Sequence, residues 1–277
     1  MSFIDDYIKE LKEDCPRLKD YNITPDNYNS FLQMSQEDPL CGDLNPIKGY
    51  YHVAEKNSDG SYTFTLTACG KTKDMMQKQR IQKNLDTRFA TDGYTKATFD
   101  DFRLDTESRR KALDYAKKFV LEYSKDNYMD GLYIHGKYGS GKTYLLSAIA
   151  NELAIKGVKT TIVFFPDLCR ELKRTMFKDD SEEIINDLKN VDVLVIDDFG
   201  AENLTAYIRD DVLGPILNYR WSMSKPFFIA SNLSNQEIVE HLSHTKEDAY
   251  NNTVDNVKAI RIYERIKNST IECEFKN

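Results

Sequence analysis

Long apolar runs are absent from this chain of 277 residues. Nowhere do about 18 consecutive apolar residues occur, the length that a membrane-spanning helix needs. The first residues, MSFIDDYIKELKED, also lack the basic and then apolar regions of a secretory signal peptide. We therefore expect a cytoplasmic protein with no membrane partner.

Cysteine is scarce and shows no paired spacing. The five cysteines are widely separated and odd in number, unlike the disulfide framework of a small secreted domain. We expect reduced thiols at all of them: Cys15, Cys41, Cys69, Cys169 and Cys273.

An excess of positive charge is missing as well. The chain has 45 acidic and 38 basic residues, a net charge of −7, which excludes a general polyanion binder. Any nucleic-acid contact must be local. The most basic stretch, Lys71 to Arg88, predicts either a contact with a phosphate backbone or a solvated helix or linker face.

No repeat, low-complexity stretch or Gly/Ser-rich linker occurs, so we place a domain boundary by pattern alone. Residues 1–95 predict a small mixed α+β domain. It has two short helices, the second beginning near Thr24, and a β-hairpin formed by GYYHVAE and SYTFTLTA. Residues 96–277 predict a larger α/β domain.

The larger domain alternates helical segments with short apolar runs, as a parallel sheet with crossover helices requires. We predict a five-stranded parallel sheet with helices on both faces. Helices are expected at 106–124, from 142, from 166, from 181, at 207–222 and ending near 267, and strands at 132–135, 160–165, 193–196, 227–230 and 270–275.

A phosphate-binding loop is the strongest motif in the chain. GKYGSGKT fits G-x-x-x-x-G-K-[S/T] and lies between the apolar strand GLYIH and the helical segment YLLSAIANELA. Backbone N–H groups would wrap the phosphates of ATP, Lys142 would reach the β and γ phosphates, and Thr143 would ligate Mg²⁺. The predicted nucleotide-binding residues are Gly136, Lys137, Tyr138, Gly139, Ser140, Gly141, Lys142 and Thr143.

Two carboxylates follow a strand that is apolar on both faces, VDVLVIDDFG. Ligands of such sheets bind beyond the carboxyl ends of the strands. We expect Asp197 to hold Mg²⁺ through water and Asp198 to polarise the attacking water. Many relatives of this motif have Glu at the second position, so the shorter Asp198 predicts slow ATP hydrolysis that a partner stimulates.

A third strand, FFIASN, ends in the polar pair Ser231 and Asn232. Taken alone, a Ser-Asn pair is an equally good turn or helix-cap signal. After the two preceding motifs, Asn232 is placed to orient the water or touch the γ phosphate.

The last predicted helix, within NVKAIRIYERIKNS, carries Arg261 and Arg265 four residues apart on one face. Few residues follow it, so we expect no C-terminal helical lid and no lid arginine. An arginine from a neighbouring subunit would then stabilise the transferring phosphoryl group, which predicts self-association through the ATP site. We expect Arg261 in that role, with Arg265 as the second candidate and a surface ion pair as the alternative.

Several strings beyond the nucleotide motifs resemble the bacterial replicative helicase loaders, the DnaI/DnaC-type branch of the AAA+ ATPases, and the DnaI side most closely. Across residues 99–269 they are RRKALDYAKKFVLEY, GLYIHGKYGSGKTYLLSAIANELA, VLVIDDFGAE, YIRDDVLGPILNYRW, PFFIASNLS and KAIRIYERIK.

The resemblance implies an AAA+ core whose N-terminal domain grips the hexameric replicative helicase and delivers it to single-stranded DNA under ATP control. It places Arg209 and Arg220 at a subunit or DNA interface. Trp221 would either stack on a base or pack beside the sheet.

The resemblance also raises a zinc site, because DnaI-like proteins carry an N-terminal zinc domain with three cysteines and one histidine. This chain offers Cys41, His52 and Cys69 around the predicted hairpin but no C-x-x-C pair. A structural zinc site needs four ligands, so Cys15 or a carboxylate such as Asp38 or Asp43 would have to join, or the metal has been lost.

Two other functions remain open at this stage. The helper ATPase of a transposition system shares the same core, although the hairpin module, the NYRW segment and DDFGAE favour the loader. A small-molecule kinase would need a lid and an acceptor pocket, which the sequence after Asn232 does not clearly offer.

Overall fold

The structure of the chain, a computed structural model, describes residues 3–37, 47–89, 92–176, 179–251 and 254–276. It divides into two compact units, Met1–Gln79 and Arg80–Asn277. The division lies earlier in the chain than residue 95, where the sequence pattern places it, and it falls within a helix. None of the helices in the described segments is long and apolar enough to cross a bilayer.

The first unit contains the predicted antiparallel hairpin. Its strands pair in register from Tyr50 with Ala68 to Lys56 with Tyr62, and Gly60 has a φ of 86° in the connecting turn. The elements are α1 (Phe3–Asp14), α2 (Tyr28–Ser35), β1 (Tyr50–Lys56), β2 (Tyr62–Ala68) and α3 (Gly70–Asn84).

A small aromatic core holds this unit together. The fully buried ring of Phe31 lies edge-on to Tyr62 and Phe64, with ring centroids 5.3 and 5.1 Å away. Such edge-to-face pairs are favoured over face-to-face stacking. Phe31 therefore packs α2 against β2 of the hairpin.

The second unit is a six-stranded sheet with strand order β3-β5-β6-β7-β4-β8, in which every neighbouring pair is parallel. The strands are β3 (Leu85–Phe89), β4 (Gly131–Gly136), β5 (Thr160–Phe164), β6 (Val193–Phe199), β7 (Phe227–Ser231) and β8 (Thr270–Phe275). The helices are α4 (Glu107–Glu122), α5 (Lys142–Lys156), α6 (Phe165–Thr175), α7 (Asp179–Asn190), α8 (Gly214–Ser222), α9 (Asn235–Ser243), α10 (Lys246–Asn251) and α11 (Asn256–Lys267).

All five predicted strands are present, and β3 is an additional edge strand beside β5. It lies in the segment that the sequence analysis interprets as a basic helix or linker. It has only five residues, LDTRF, and three of them are charged or polar, so they carry no strand signal of their own.

Helices cover both faces of the sheet, as the apolar strands predict. Side chains alternate along each strand, so Leu132 and Ile134 join a core with α4 and α5, while Tyr133 between them joins a core with α6, α8 and α11. The strands β4, β6 and β7 are buried almost throughout. Their carboxyl ends meet at one edge, which positions the site described below.

One predicted helix is divided in two. The segment Tyr207–Leu213 is a π-helix, and α8 continues from Gly214. Pro215 follows at once, and because proline has no backbone N–H it cannot supply the usual helical hydrogen bond at this point.

Candidate nucleotide site

The loop between β4 and α5 has the backbone conformation of an anion-binding turn. Gly139 and Gly141 have φ values of 73° and 90°, in the left-handed region that side chains disfavour. Gly141 is the residue before the first turn of α5, so the free N–H groups of that turn face the loop. A Cβ atom at Gly136 would lie 2.3 Å from the carbonyl oxygen of Phe275, so any side chain there would collide with it.

Lys142 is held at the centre of this loop and is only 8% exposed. Its Nζ donates to the carbonyl oxygens of Gly136 and Lys137, at 2.8 and 2.9 Å, and to Asn232 Oδ1 at 2.8 Å. Burial lowers the pKa of Lys142. The three oxygen acceptors fix the ammonium group where the loop curves around it.

Asp197 is buried at the end of β6 and accepts two hydrogen bonds, one on each carboxylate oxygen. Thr143 donates to Oδ1 at 3.0 Å and the hydroxyl of Tyr94 donates to Oδ2 at 2.6 Å. Burial raises the pKa of Asp197. The carboxylate therefore lies directly beside the hydroxyl that follows the loop lysine.

Asp198 has a φ of 55°, an uncommon left-handed conformation for a residue with a side chain. Its Oδ1 accepts a hydrogen bond from Asn232 Nδ2 at 3.1 Å. Burial, and then the neighbouring charge of Asp197, raise the pKa of Asp198. Because Asn232 also accepts from Lys142, this one amide joins the phosphate loop to the second carboxylate.

These groups line one cavity of about 460 Å³, within the range of about 300 to 1,000 Å³ that is typical of ligand pockets. These groups fit Mg²⁺ and a nucleoside triphosphate. Carboxylate and hydroxyl oxygens are suitable ligands for Mg²⁺, and the ammonium group together with the helix N–H donors is suited to binding phosphates. Its lining includes Tyr94, Ala97, Tyr138, Gly139, Ser140, Gly141, Lys142, Thr143, Tyr144, Ser147, Asp197, Asp198 and Asn232.

The two arginines of α11 lie elsewhere. Arg261 and Arg265 line a second cavity, of about 470 Å³, together with Arg209, Asp210 and Lys258. Neither arginine lines the phosphate cavity. Among the described residues Arg261 is exposed and forms no hydrogen bond or ion pair, whereas Arg265 donates to Asn218.

The positions of Arg209 and Arg220 correct their expected place at a subunit or DNA interface. Arg209 is 2% exposed and is paired with three carboxylates: Asp210, Asp248 and Asp255. Arg220 is fully buried, and its guanidinium donates to main-chain carbonyl oxygens of Leu188, Lys189, Val191, Asp192 and Pro226. Both arginines hold the domain together from inside.

The sequence analysis allows Trp221 either to stack on a base or to pack beside the sheet. In the structure its side chain is 44% exposed, so it is only partly packed. Arg265 lies over its ring, with the guanidinium carbon 4.3 Å from the ring centroid. One face of the indole ring is therefore covered by an arginine of the same chain.

The predicted zinc site receives no support from the structure. Cys41, Asp38 and Asp43 lie outside the described residues, and the described residues contain no group of three His, Cys, Asp or Glu side chains that could hold a metal. His52 Nδ1 lies 2.7 Å from Glu37 Oε1, and Cys69 Sγ lies 3.3 Å from Thr72 Oγ1. Both side chains thus have other partners.

Three residues at the site are not singled out by the sequence motifs: Tyr94, Asn151 and Arg109. Asn151 donates to the carbonyl oxygens of Tyr94 and Ala97, and Arg109 donates to the carbonyl oxygen of Ser140 at 2.6 Å within the phosphate loop. Of the three, Asn151 could have been noticed in the sequence, because it is a polar residue within the apolar helix LLSAIANELA and a buried polar side chain needs hydrogen-bond partners.

Comparison with known proteins agrees with this geometry. Residues 94–247 match the family model of the bacterial DnaA ATPase domain. The chain is 33% identical over 230 residues to the replicative helicase loader DnaI of Bacillus subtilis (strain 168), covering 83% of this chain and 72% of that protein.

Two further relatives point the same way. The replicative helicase loader DnaC of Escherichia coli (strain K12) is 30% identical over 153 residues, which is 54% of this chain and 61% of DnaC. A crystal structure of DnaI superposes with a TM-score of 0.63 and 40% identity, covering 70% of this chain and 98% of that one. The chain belongs to the DnaI/DnaC-type family of replicative helicase loaders, with an ATP-binding domain of the AAA+ class.

Proposed function

We propose that the chain is an ATP-dependent helicase loader that binds the replicative DNA helicase and delivers it to single-stranded DNA during initiation or restart of replication. The observation that carries the proposal is the hydrogen-bonded network that joins Lys142, Asn232 and Asp198 and places Thr143 on Asp197. The replicative helicase is inferred as the partner because the relatives of this chain are named replicative helicase loaders.

The nucleotide site assigns a role to each part of that network. Lys142 and the loop N–H groups would hold the β and γ phosphates, and Thr143 and Asp197 would hold Mg²⁺. The metal would neutralise charge on the phosphates. Asp198 and Asn232 would orient the attacking water, which makes the chain an ATPase with slow intrinsic hydrolysis.

Rapid hydrolysis requires a further positive charge, and Arg261 is the group we propose for it. Arg261 lines a cavity other than the one that contains the phosphate loop. A charge that does not reach the phosphates of its own chain can reach those of a neighbouring copy. Self-association through the ATP site would therefore complete the catalytic groups.

We assign the helicase contact to the N-terminal unit. It has its own core and exposes apolar side chains, among them Tyr7, Leu66 and Met75, which are 45%, 42% and 54% exposed. Exposed apolar side chains of this kind contribute strongly to protein interfaces when they cluster.

The test of the partner is retention of the purified helicase of the same organism by three baits. They are the full chain, residues 1–84, which include all of α3 and the first unit, and residues 85–277, each with and without a non-hydrolysable ATP analogue. We expect the full chain and residues 1–84 to retain the helicase. Retention by residues 85–277 alone would move the contact to the ATPase domain.

Delivery needs a separate assay. Helicase, protein and ATP are incubated with circular single-stranded DNA, and helicase that stays on the circles through a high-salt wash is measured. We expect the chain to increase this fraction and Lys142→Ala to abolish the increase. Equal loading with and without the chain would contradict a loader function even if the helicase is bound.

A further inference from the structure

Tyr94 connects a segment that precedes the sheet core to the metal-binding edge of the nucleotide site. It lies in a short 3-10 turn, Asp92–Lys96, and is 6% exposed. Its hydroxyl donates to Asp197 Oδ2 at 2.6 Å, a contact between residues 103 positions apart in sequence.

The turn that carries Tyr94 is fixed to the same helix that carries the phosphate-loop lysine. Asn151 Nδ2, on α5, donates to the carbonyl oxygens of Tyr94 and Ala97 at 3.0 and 2.9 Å. Asn151 is itself buried. The turn of Tyr94 and the backbone of Lys142 are therefore both anchored to α5.

The two donors on Asp197 approach different oxygens. Thr143, also on α5, donates to Oδ1 while Tyr94 donates to Oδ2. One donor on each oxygen fixes the rotation of the carboxylate plane about its side-chain bond. The remaining lone pairs of both oxygens are then directed in a single arrangement at the edge of the cavity, which Tyr94 also lines.

We propose that Tyr94 is a positioning residue that fixes Asp197 for Mg²⁺ and thereby sets how strongly the metal increases nucleotide affinity. The proposal rests on the nucleotide site proposed above. A donor that orients a metal-binding carboxylate commonly changes metal affinity about 10- to 100-fold when it is removed. The hydroxyl of Tyr94 donates to Asp197 and to no atom of the phosphate loop, so its removal leaves the loop donors to the phosphates unchanged.

The test compares Tyr94→Phe with Tyr115→Phe. The control also removes a tyrosine hydroxyl that donates at 2.6 Å, to the carbonyl oxygen of Asp130, outside the phosphate cavity. The affinity of a fluorescent ATP analogue is measured in EDTA and in Mg²⁺, and the ratio of the two affinities gives the coupling between metal and nucleotide. Thermal unfolding of each variant is recorded alongside.

We expect Tyr94→Phe to reduce the Mg²⁺-dependent increase in affinity about tenfold or to abolish it, and to leave affinity in EDTA within about twofold of wild type. Tyr115→Phe should behave as wild type. Asn151→Ala, which keeps the hydroxyl but releases its turn, should give a smaller loss in the same direction, and it serves as the second variant should Tyr94→Phe fold poorly.

An unchanged Mg²⁺ effect in Tyr94→Phe, with or without a lower melting temperature, would overturn the inference and leave a purely structural tyrosine. A larger Mg²⁺ effect would also overturn it, because Tyr94 would then compete with the metal. A wild-type chain that binds the analogue without any Mg²⁺ effect would overturn the proposed metal site as well, so the two failures are distinguishable.

Discussion

The guanidinium of Arg265 lies over the indole ring of Trp221, and the same side chain donates from Nε to Asn218 Oδ1 at 3.2 Å. Two contacts within its own chain thus hold Arg265 in place. Arg261, one helical turn earlier, is exposed and has no such contact with the described residues. This difference favours Arg261 over Arg265 as the arginine that reaches a neighbouring copy.

For Arg261→Ala we expect ATP affinity within about twofold of wild type and helicase-stimulated hydrolysis reduced about a thousandfold or more, the usual effect of removing such an arginine. Arg265→Ala is the matched comparison and should lose less activity. Steady-state hydrolysis and analogue binding measure both effects. Collapse of ATP binding with intact assembly would show that Arg261 acts within its own chain.

A mixing experiment further distinguishes whether Arg261 acts on a neighbouring copy or within its own chain. Lys142→Ala has a defective phosphate loop but keeps Arg261. Arg261→Ala has an intact phosphate loop but lacks the arginine. If Arg261 acts on a neighbour, a mixture of the two inactive variants regains hydrolysis, because an intact loop then meets an intact arginine. A mixture as inactive as its components would argue against a shared site.

Lys142→Ala should weaken binding of an ATP analogue about 10- to 100-fold, since it removes charge-assisted hydrogen bonds to the phosphates. Lys137→Ala removes the same charge from the same loop and is the control. Lys137 is exposed and its main-chain N–H is retained, so we expect near wild-type affinity. Equal losses in the two variants would mean that net charge, rather than the position of Lys142, governs binding.

Arg220→Met should lower the free energy of unfolding by at least about 3 kcal/mol, because several buried carbonyl oxygens lose their donor. Arg174→Met, which removes an exposed arginine that pairs with Glu171, should cost much less. Urea unfolding measures both. A normally stable Arg220→Met protein with weakened DNA binding would restore the interface role that the buried position argues against.

Tyr123 predicts an alkaline loss of stability. Burial, and then the charge of Asp192, raise its pKa to about 12 from an ordinary value of 10.0. The folded state therefore keeps a proton that the unfolded state loses, and the contribution of Tyr123 to stability, present below pH 10, falls away as the pH rises towards 12.

The effect on the free energy of unfolding is at most about 3 kcal/mol, because one pKa unit corresponds to about 1.4 kcal/mol. Unfolding in urea at pH 8 and pH 11 should show a smaller pH-dependent loss for Tyr123→Phe than for wild type. An equal loss in both proteins would mean that the hydroxyl of Tyr123 ionises equally in the two states.

The strands and helices around the nucleotide site are predictable from sequence because each is marked locally. GKYGSGKT has fixed spacing, and VDVLVIDDFG and FFIASN are apolar runs that end in polar side chains. The structure brings the ends of these runs to one cavity, as parallel strands require.

What sequence reasoning misses depends on distant contacts. Arg220 looks like a surface residue of a helix until the carbonyl oxygens of residues 188–192 surround it. Tyr94 belongs to no motif, and its partner Asp197 lies on β6, far along the chain. β3 is too short and polar to be recognised before its pairing with β5 is known.

The left-handed backbone of Asp198 bears on the choice of acid at that position. Asp and Asn tolerate this conformation better than longer side chains do, since their short polar groups can hydrogen-bond locally. A glutamate there would gain reach towards a water molecule only by adopting a less favourable local geometry, or by letting the turn before Gly200 relax and moving away from Asn232. Under the proposed role of Asp198, the shorter acid is a compromise between chain conformation and reach, and a change of the acid to glutamate would require a change in the turn as well.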